Sequence, residues 1–268
     1  MGLFLGLMAN RPDCLRAALE RHGALFERAS ASKMSAWGLA FYQGGEVLHK
    51  KQPFPRDEPF QWQAFLGNLA SECVVLHGRQ ATVGTFRLEN THPFRFRSWT
   101  MAHVGTLANF AARRPALAES LPDFLRRNMR GDTDSELLFH LFLAELHEVG
   151  QLEAMDAPQQ AVVESLRRVV EKIGAMDRDE AQSSVLSCVL TNGRQMYALA
   201  RGTSLYFRSH RASASETAAD SDPSLCRYVL LYTDLGGSEG LRDFESVEEG
   251  QVLLIDRSLE THLLPLSR

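Results

Sequence analysis

The sequence predicts an α+β fold built in layers. Two observations lead there. Apolar runs of strand length recur near both ends of the 268-residue chain, and stretches with helical spacing of apolar residues lie between them. Composition agrees with a packed protein: 44% of residues are hydrophobic and 23% charged, which excludes a disordered or fibrous chain. Lys plus Arg number 29 against 33 Asp plus Glu, a formal charge of −4 that excludes a basic nucleic-acid binder.

Residues 3–9 read as a buried strand. Residues 13–29 follow as an amphipathic helix, with Leu15, Ala18, Leu19, His22, Leu25 and Phe26 on one face. Trp37 to Tyr42 reads as a strand, and Val47 to Lys50 as its return across the Gly44-Gly45 turn. Trp62, Phe65, Leu66 and Leu69 predict a helix over Phe60 to Ala70. Cys73 to His77 and Thr100 to Val104 are strand-like. Phe94-Arg95-Phe96-Arg97 alternates aromatic and basic residues; so short a run on an acidic chain reads as an edge strand or loop, not a nucleic-acid surface.

Residues 133–149 predict a helix, with Thr133 and Glu136 as a capping box. Pro158 opens another over 158–176. Val185 to Leu190, Asn192-Gly193 and Met196 to Ala200 make a hairpin. Further strands are expected at 203–208, 227–233, 251–256 and 260–264, with a mobile Ser/Ala/acid-rich loop at 212–224. Cys14, Cys73, Cys188 and Cys226 are scattered without a C-x-x-C pair and are expected as reduced, buried thiols. No apolar run reaches the roughly 18 residues of a membrane span, and the apolar start Met1–Met8 has no basic residues before it. A cytoplasmic protein with no membrane association is expected. His77, His92 and His103 match no metal-ligand spacing, so neither metal nor cofactor is expected.

A series of short segments carries a resemblance. In order they are residues 2–12 (GLFLGLMANRP), Trp37-Gly38-Leu39-Ala40-Phe41-Tyr42, His77-Gly78-Arg79-Gln80-Ala81-Thr82, Glu89-Asn90-Thr91-His92-Pro93-Phe94, Ala102-His103-Val104-Gly105-Thr106-Leu107 and Gly131-Asp132-Thr133-Asp134-Ser135-Glu136. Together they resemble the class II glutamine amidotransferases of the N-terminal-nucleophile type, in their short stand-alone form. The resemblance implies a four-layer αββα sandwich, with residues 1–268 as a single domain.

It also implies a chemistry. In active members the second encoded residue is a Cys whose thiolate attacks the glutamine amide, with the freed α-amino group as base. A backbone N–H and the Asn of a His-Asn-Gly segment stabilise the oxyanion. This chain has Gly2 at the nucleophile position and Val104 at the oxyanion position. The positions implied to hold substrate are retained: Arg79 for the carboxylate, Asp134 for the ammonium group, with Thr82, His92 and Gly105 around them. Taken alone, Arg79 and Asp134 read as an ordinary ion pair or as solvated charges; their place in the family motifs raises amino-acid binding to an equal alternative. Cys14 is implied to lie a strand-length from position 2, too far to replace the missing nucleophile.

These departures point to a pseudoenzyme: a non-catalytic binding or regulatory subunit, with a glutamine or γ-glutamyl ligand and a protein partner such as a synthetase or another enzyme. The competing expectation is an active amidohydrolase or amidotransferase that uses an unconventional nucleophile.

Overall fold

The computed structural model describes residues 2–31, 34–53, 65–66, 69–80, 87–178, 182–211, 226–233 and 243–266. The first half runs β1 (Leu3–Ala9), α1 (Cys14–Arg21), α2 (Gly23–Ala31), β2 (Ala36–Gln43), β3 (Glu46–Pro53), β4 (Cys73–Arg79), β5 (Phe94–Phe96) and β6 (Trp99–Thr106). Helices α3 (Phe110–Glu119), α4 (Asp123–Asn128), α5 (Asp134–Glu148) and α6 (Gln159–Asp177) follow. The chain then returns to strands: β7 (Val185–Thr191), β8 (Met196–Leu199), β9 (Leu205–Arg211), β10 (Arg227–Thr233), β11 (Glu245–Val247), β12 (Gln251–Ile255) and β13 (Thr261–Pro265).

The described strands form two antiparallel sheets, ordered β11-β9-β10-β1-β4-β2-β3 and β13-β12-β8-β7-β6-β5. Side-chain alternation assigns each face its layer. In β1, Leu3, Leu5, Leu7 and Ala9 join Leu15, Ala18 and Phe26 of the α1–α2 layer. Phe4 and Met8 point the other way and pack against Ala102, Val104, Val189 and Met196 of the second sheet. The far face of that sheet, with Trp99, Met101, Leu186 and Leu190, packs on Leu138, Phe142, Val169 and Ile173 of α5 and α6. The order of layers is therefore helix, sheet, sheet, helix.

Several sequence expectations are met nearly residue for residue. Strand β2 pairs with β3 across Gly44-Gly45, and β7 with β8 across residues 192–195. In β5, Phe94 and Phe96 are buried while Arg95 and Arg97 are exposed, as an edge strand requires. Thr133 caps α5 by accepting the Glu136 N–H at 3.2 Å. The other half of the capping box does not form, because the Glu136 carboxylate accepts the backbone N–H groups of Arg130 and Gly131 instead.

Other expectations need correction. The single helix over 13–29 is two helices, with His22 outside helical geometry at φ −110° and ψ 29°. Gly23 follows it, a poor helix former, and the His22 ring is held 3.1 Å from the Tyr228 hydroxyl of β10. A tertiary contact thus fixes the break. The four thiols are not all reduced: Cys14 and Cys226 are joined in a disulfide, with Cα atoms 5.8 Å apart at a sequence separation of 212. Antiparallel pairing of β1 with β10 (Ala9 opposite Tyr228) carries Cys226 to the start of α1. Cys73 and Cys188 remain free and buried.

Helices α3 and α4 have no counterpart in the apolar periodicity; α3 carries Pro115 and buries Arg113 alongside Phe110 and Leu117. The mobile loop at 212–224, Thr82 and all but Phe65, Leu66, Leu69 and Ala70 of the helix expected over Phe60 to Ala70 lie outside the described residues. Among the described residues no helix is long and apolar enough to cross a membrane.

Close approach demands glycine at Gly38 of β2. A Cβ there would lie 1.8 Å from the backbone oxygen of His92, whose peptide bond to Pro93 is cis. Gly23, by contrast, has no atom within 4 Å of its would-be Cβ. Gly38→Ala is expected to lower the unfolding free energy by about 3 kcal/mol or more, because backbone cannot yield as a side chain can. Gly23→Ala should raise it by about 0.5 kcal/mol. Urea denaturation of the two variants checks both signs.

Candidate functional site

One cavity of about 120 Å³ is lined by Gly2, His77, Arg79, His92, Val104 and Asp134, with Gln80, His103, Gly105, Thr106, Thr133, Ser135 and Val185 completing its wall. Strand alternation explains how it is built. Positions 73, 75, 77 and 79 of β4 share a face, as do 100, 102, 104 and 106 of β6. Cys73, Val75, Ala102 and Val104 belong to the core between the sheets, so His77 and Arg79 continue that face toward the end of β4. Gly2 has the parity of Phe4 and faces the same layer. The cavity is therefore the end of the sheet–sheet interface, where Gly2 contributes no side chain.

Opposite the sheets stands the N-terminus of α5. Asp134 is buried and its carboxylate accepts the backbone N–H of Leu107 and of Ser135, each at 2.9 Å. Those bonds use one acceptor site on each oxygen and leave capacity for further donors. Arg79 is also buried. Desolvation lowers its pKa, and the nearby charges of Asp132 and Asp134 oppose that shift. Hence a guanidinium and a carboxylate, from the ends of two different elements, meet at one small cavity.

The approach of α5 is set by a clamp between two loops. The Asn90 side chain donates to Asp132 Oδ1 at 2.5 Å, and its carbonyl oxygen accepts the Asp132 N–H at 3.0 Å. A Cβ on Gly131 would fall 2.3 Å from that same Asn90 oxygen. The clamp ties the segment bearing His92 to the segment bearing Asp134 and Ser135. Gly105 is required by the same crowding, since a Cβ there would lie 1.9 Å from Val185 O and 2.6 Å from His103 Nε2.

The imidazoles are committed within the wall. His103 Nε2 lies 3.0 Å from the Val185 carbonyl and must donate to it. Nδ1 of the neutral ring then accepts the Ser135 hydroxyl at 2.8 Å. His77 Nε2 donates to the His103 carbonyl at 3.2 Å, and the His77 and His92 rings lie with centroids 4.0 Å apart, tilted by 39°. His77 Nδ1 and both His92 nitrogens are buried without a hydrogen-bond partner among the described residues. Burial holds all three rings neutral: the His77 pKa falls to about 3, His92 well below its ordinary value, and His103 below it despite the pull of Asp134.

Of the residues singled out from sequence, the structure brings Gly2, Arg79, His92, Val104, Gly105 and Asp134 together on this one cavity. Thr82 lies outside the described residues. Sequence reasoning left out Ser135, although it stands next to Asp134 in the same motif; only the fold puts His103 beside it. None of the four cysteines lines the cavity. Cys73 and Cys188 lie in the cores, where burial pushes each thiol up to about 12.

The neutral histidines set a pH dependence. Between their unfolded value of about 6.5 and their folded values, the unfolded chain binds protons that the folded chain does not, so stability falls as pH falls. Below about pH 6 each such histidine is expected to steepen the loss by roughly 1 kcal/mol per pH unit. His77→Asn should flatten the slope by that amount in urea titrations from pH 7 to 4, whatever its effect at neutral pH.

Comparison with known proteins bears on the family and the fold. Residues 1–224 match the family described as glutamine amidotransferases class-II. The Escherichia coli (strain K12) protein named "Putative glutamine amidotransferase YafJ" is 30% identical over 217 residues, covering 78% of this chain and 76% of that one. A class-II domain protein from Silicibacter pomeroyi has the same fold, with a TM-score of 0.64 at 17% identity over 99% of this chain and 100% of its own. The glutamine phosphoribosylpyrophosphate amidotransferase of Bacillus subtilis superposes with a TM-score of 0.61 at 16% identity; this chain is covered fully but matches 49% of that larger enzyme. With the family matched over most of its length and the two-sheet sandwich in place, this chain belongs to the class-II glutamine amidotransferases.

Proposed function

We propose that this family member binds the amino-acid head group of glutamine or a γ-glutamyl compound and does not turn the amide over. One observation carries the reading. A buried guanidinium and a buried carboxylate, Arg79 and Asp134, share a cavity with Gly2 and Val104. By resemblance to the family, the first two positions hold the substrate's carboxylate and ammonium, and the last two held the nucleophile and the oxyanion donor. Losing an oxyanion donor costs about 10²–10³ in rate, and losing a nucleophile about 10⁶. No cysteine stands on the cavity to take over the covalent step. The protein then acts as a binding or regulatory subunit for a protein partner, a synthetase or another enzyme.

A second reading has one observation in its favour. Ser135 donates to His103, and His103 is oriented in turn by Val185, the arrangement of a nucleophile and its base. Against it, the N–H groups of Ser135 and Glu136 at the start of α5 are occupied by Asp134 and Thr133, so they offer no oxyanion site. The position of the serine also favours a structural role, since its hydroxyl satisfies Nδ1 of a buried ring whose tautomer the Val185 carbonyl fixes.

Calorimetry with L-glutamine and a glutaminase assay separate the readings. The expected result is saturable binding that is lost in Arg79→Ala and in Asp134→Ala, with ammonia release no higher than a heat-killed control. Turnover that disappears in Ser135→Ala establishes the second reading in its place.

A further inference from the structure

We propose that β13 is the seam of a symmetric dimer: two copies of this chain pair their β13 strands antiparallel about Leu263, joining two six-stranded sheets into one. None of the seam residues lines the cavity, so the dimer stands whether or not the cavity binds an amino acid.

Among the described residues the sheets end in four edge strands, β11 and β3 in one and β13 and β5 in the other. Unpaired edges invite further strands unless charge or shape blunts them. Lys50 and Lys51 stand on β3, Arg95 on β5 and Glu245 on β11. Strand β13 (Thr-His-Leu-Leu-Pro) carries no Lys, Arg, Asp or Glu, and its Leu263 is 41% exposed. The direction of its backbone groups follows from its pairing with β12. The Leu266 N–H reaches the Gly250 carbonyl at 2.9 Å, and the Asp256 N–H reaches the Glu260 carbonyl at 3.1 Å. Both bonds continue the register that sets Val252 opposite Leu264 and Leu254 opposite His262. Hydrogen-bonded and non-hydrogen-bonded pairs alternate along an antiparallel ladder. The even-numbered residues therefore bond β12, while Thr261, Leu263 and Pro265 turn their backbone groups outward.

A second copy fits those groups. With a two-fold axis at Leu263, the two Leu263 residues exchange both N–H···O=C bonds, and each Thr261 N–H meets the Pro265 carbonyl of the other copy. Every outward N–H is then matched. The donor that Pro265 lacks leaves only the Thr261 carbonyl, at the end of the seam, to water. This register overlaps the strands over their whole length and sets the two exposed Leu263 side chains against each other. Beside the strand, a groove of about 970 Å³ lies between β13 and the start of α6, lined by Gln160, Glu164, Arg167, Leu264, Pro265 and Leu266. Leu264 packs toward α6, and on the second copy it comes to the same side, at the mouth of this groove. The axis also turns α6 antiparallel to its copy, so Glu164 and Arg167 meet in reverse order, carboxylate toward guanidinium. An uncharged strand beside a wall of both charges selects a second copy over a partner of one charge sign. A seam of five residues is short, so the dimer forms at micromolar rather than nanomolar concentration.

Sedimentation velocity of the full chain from about 1 to 100 µM tests the seam. The expected result is a monomer–dimer equilibrium, with hydrogen exchange at the Thr261 and Leu263 amides slowing several-fold as concentration rises. Leu263→Arg sets two guanidinium groups against each other at the axis and should weaken dimerisation at least about tenfold. Thr261→Pro removes one outward N–H, leaves the bonds to β12 untouched and should weaken it likewise; it serves should the first variant fail to fold. A chain that stays monomeric over the whole range overturns the proposal, as does a dimer that survives in whichever variants fold. Full protection of the Leu263 amide at the lowest concentration means that residues of the same chain cover the edge, and overturns it too.

Discussion

Face-to-face packing of the two sheets is the constraint on which the rest of the structure depends. Strand β1 sits in the middle of one sheet and is buried along its whole length on both faces. It can pack closely only because the layer between the sheets takes small groups at chosen points. Gly6 is one of them, since a Cβ there would lie 2.8 Å from Met196 Sδ of the opposite sheet. Apolar burial drives such packing without direction, and backbone approach at particular residues fixes the register. The helical layers then cover the two outer faces, each through its own apolar cluster.

The cavity follows from the same packing. An interface between sheets must end somewhere, and here it ends where β1 starts, β4 and β6 stop and α5 begins. Gly2 leaves the end unfilled, and the α5 terminus brings a carboxylate to it. Polar groups at such a place are costly unless paired, and most of this wall pairs internally through His103, Ser135, Val185 and Asp134. Burial, against the pull of those hydrogen bonds, keeps its histidines neutral. The pairing also separates two roles within one motif: Asp134 retains acceptor capacity, while Ser135 and His103 serve each other.

The scaffold around the cavity stands on residues other than positions 2 and 104. The clamp between Asn90 and Asp132, the cap by Thr133 and the glycines at 38, 105 and 131 all maintain the shape of the site. None of them depends on a nucleophile at position 2 or a donor at position 104. The shape of the cavity is thus held by residues other than those at positions 2 and 104.

The sequence by itself determined the layered α+β class, most strands, the start of α5 and the motif residues that gather at the cavity. The class, the strands and the start of α5 are local features, since alternation, capping residues and turn glycines act within a few positions, whereas the motif residues were legible through the family resemblance. It also made plain that positions 2 and 104 carry no polar side chain. Only the tertiary structure decided the break at His22, the pairing of Cys14 with Cys226, and the bond between Ser135 and His103. Each joins residues that are distant in sequence and were brought together by strand pairing or sheet packing. Likewise α3, with a buried arginine and an internal proline, has no amphipathic pattern to read: Arg113 is buried because Asp177 at the end of α6 accepts its hydrogen bond at 2.6 Å. Such a partnership exists only once the chain has folded.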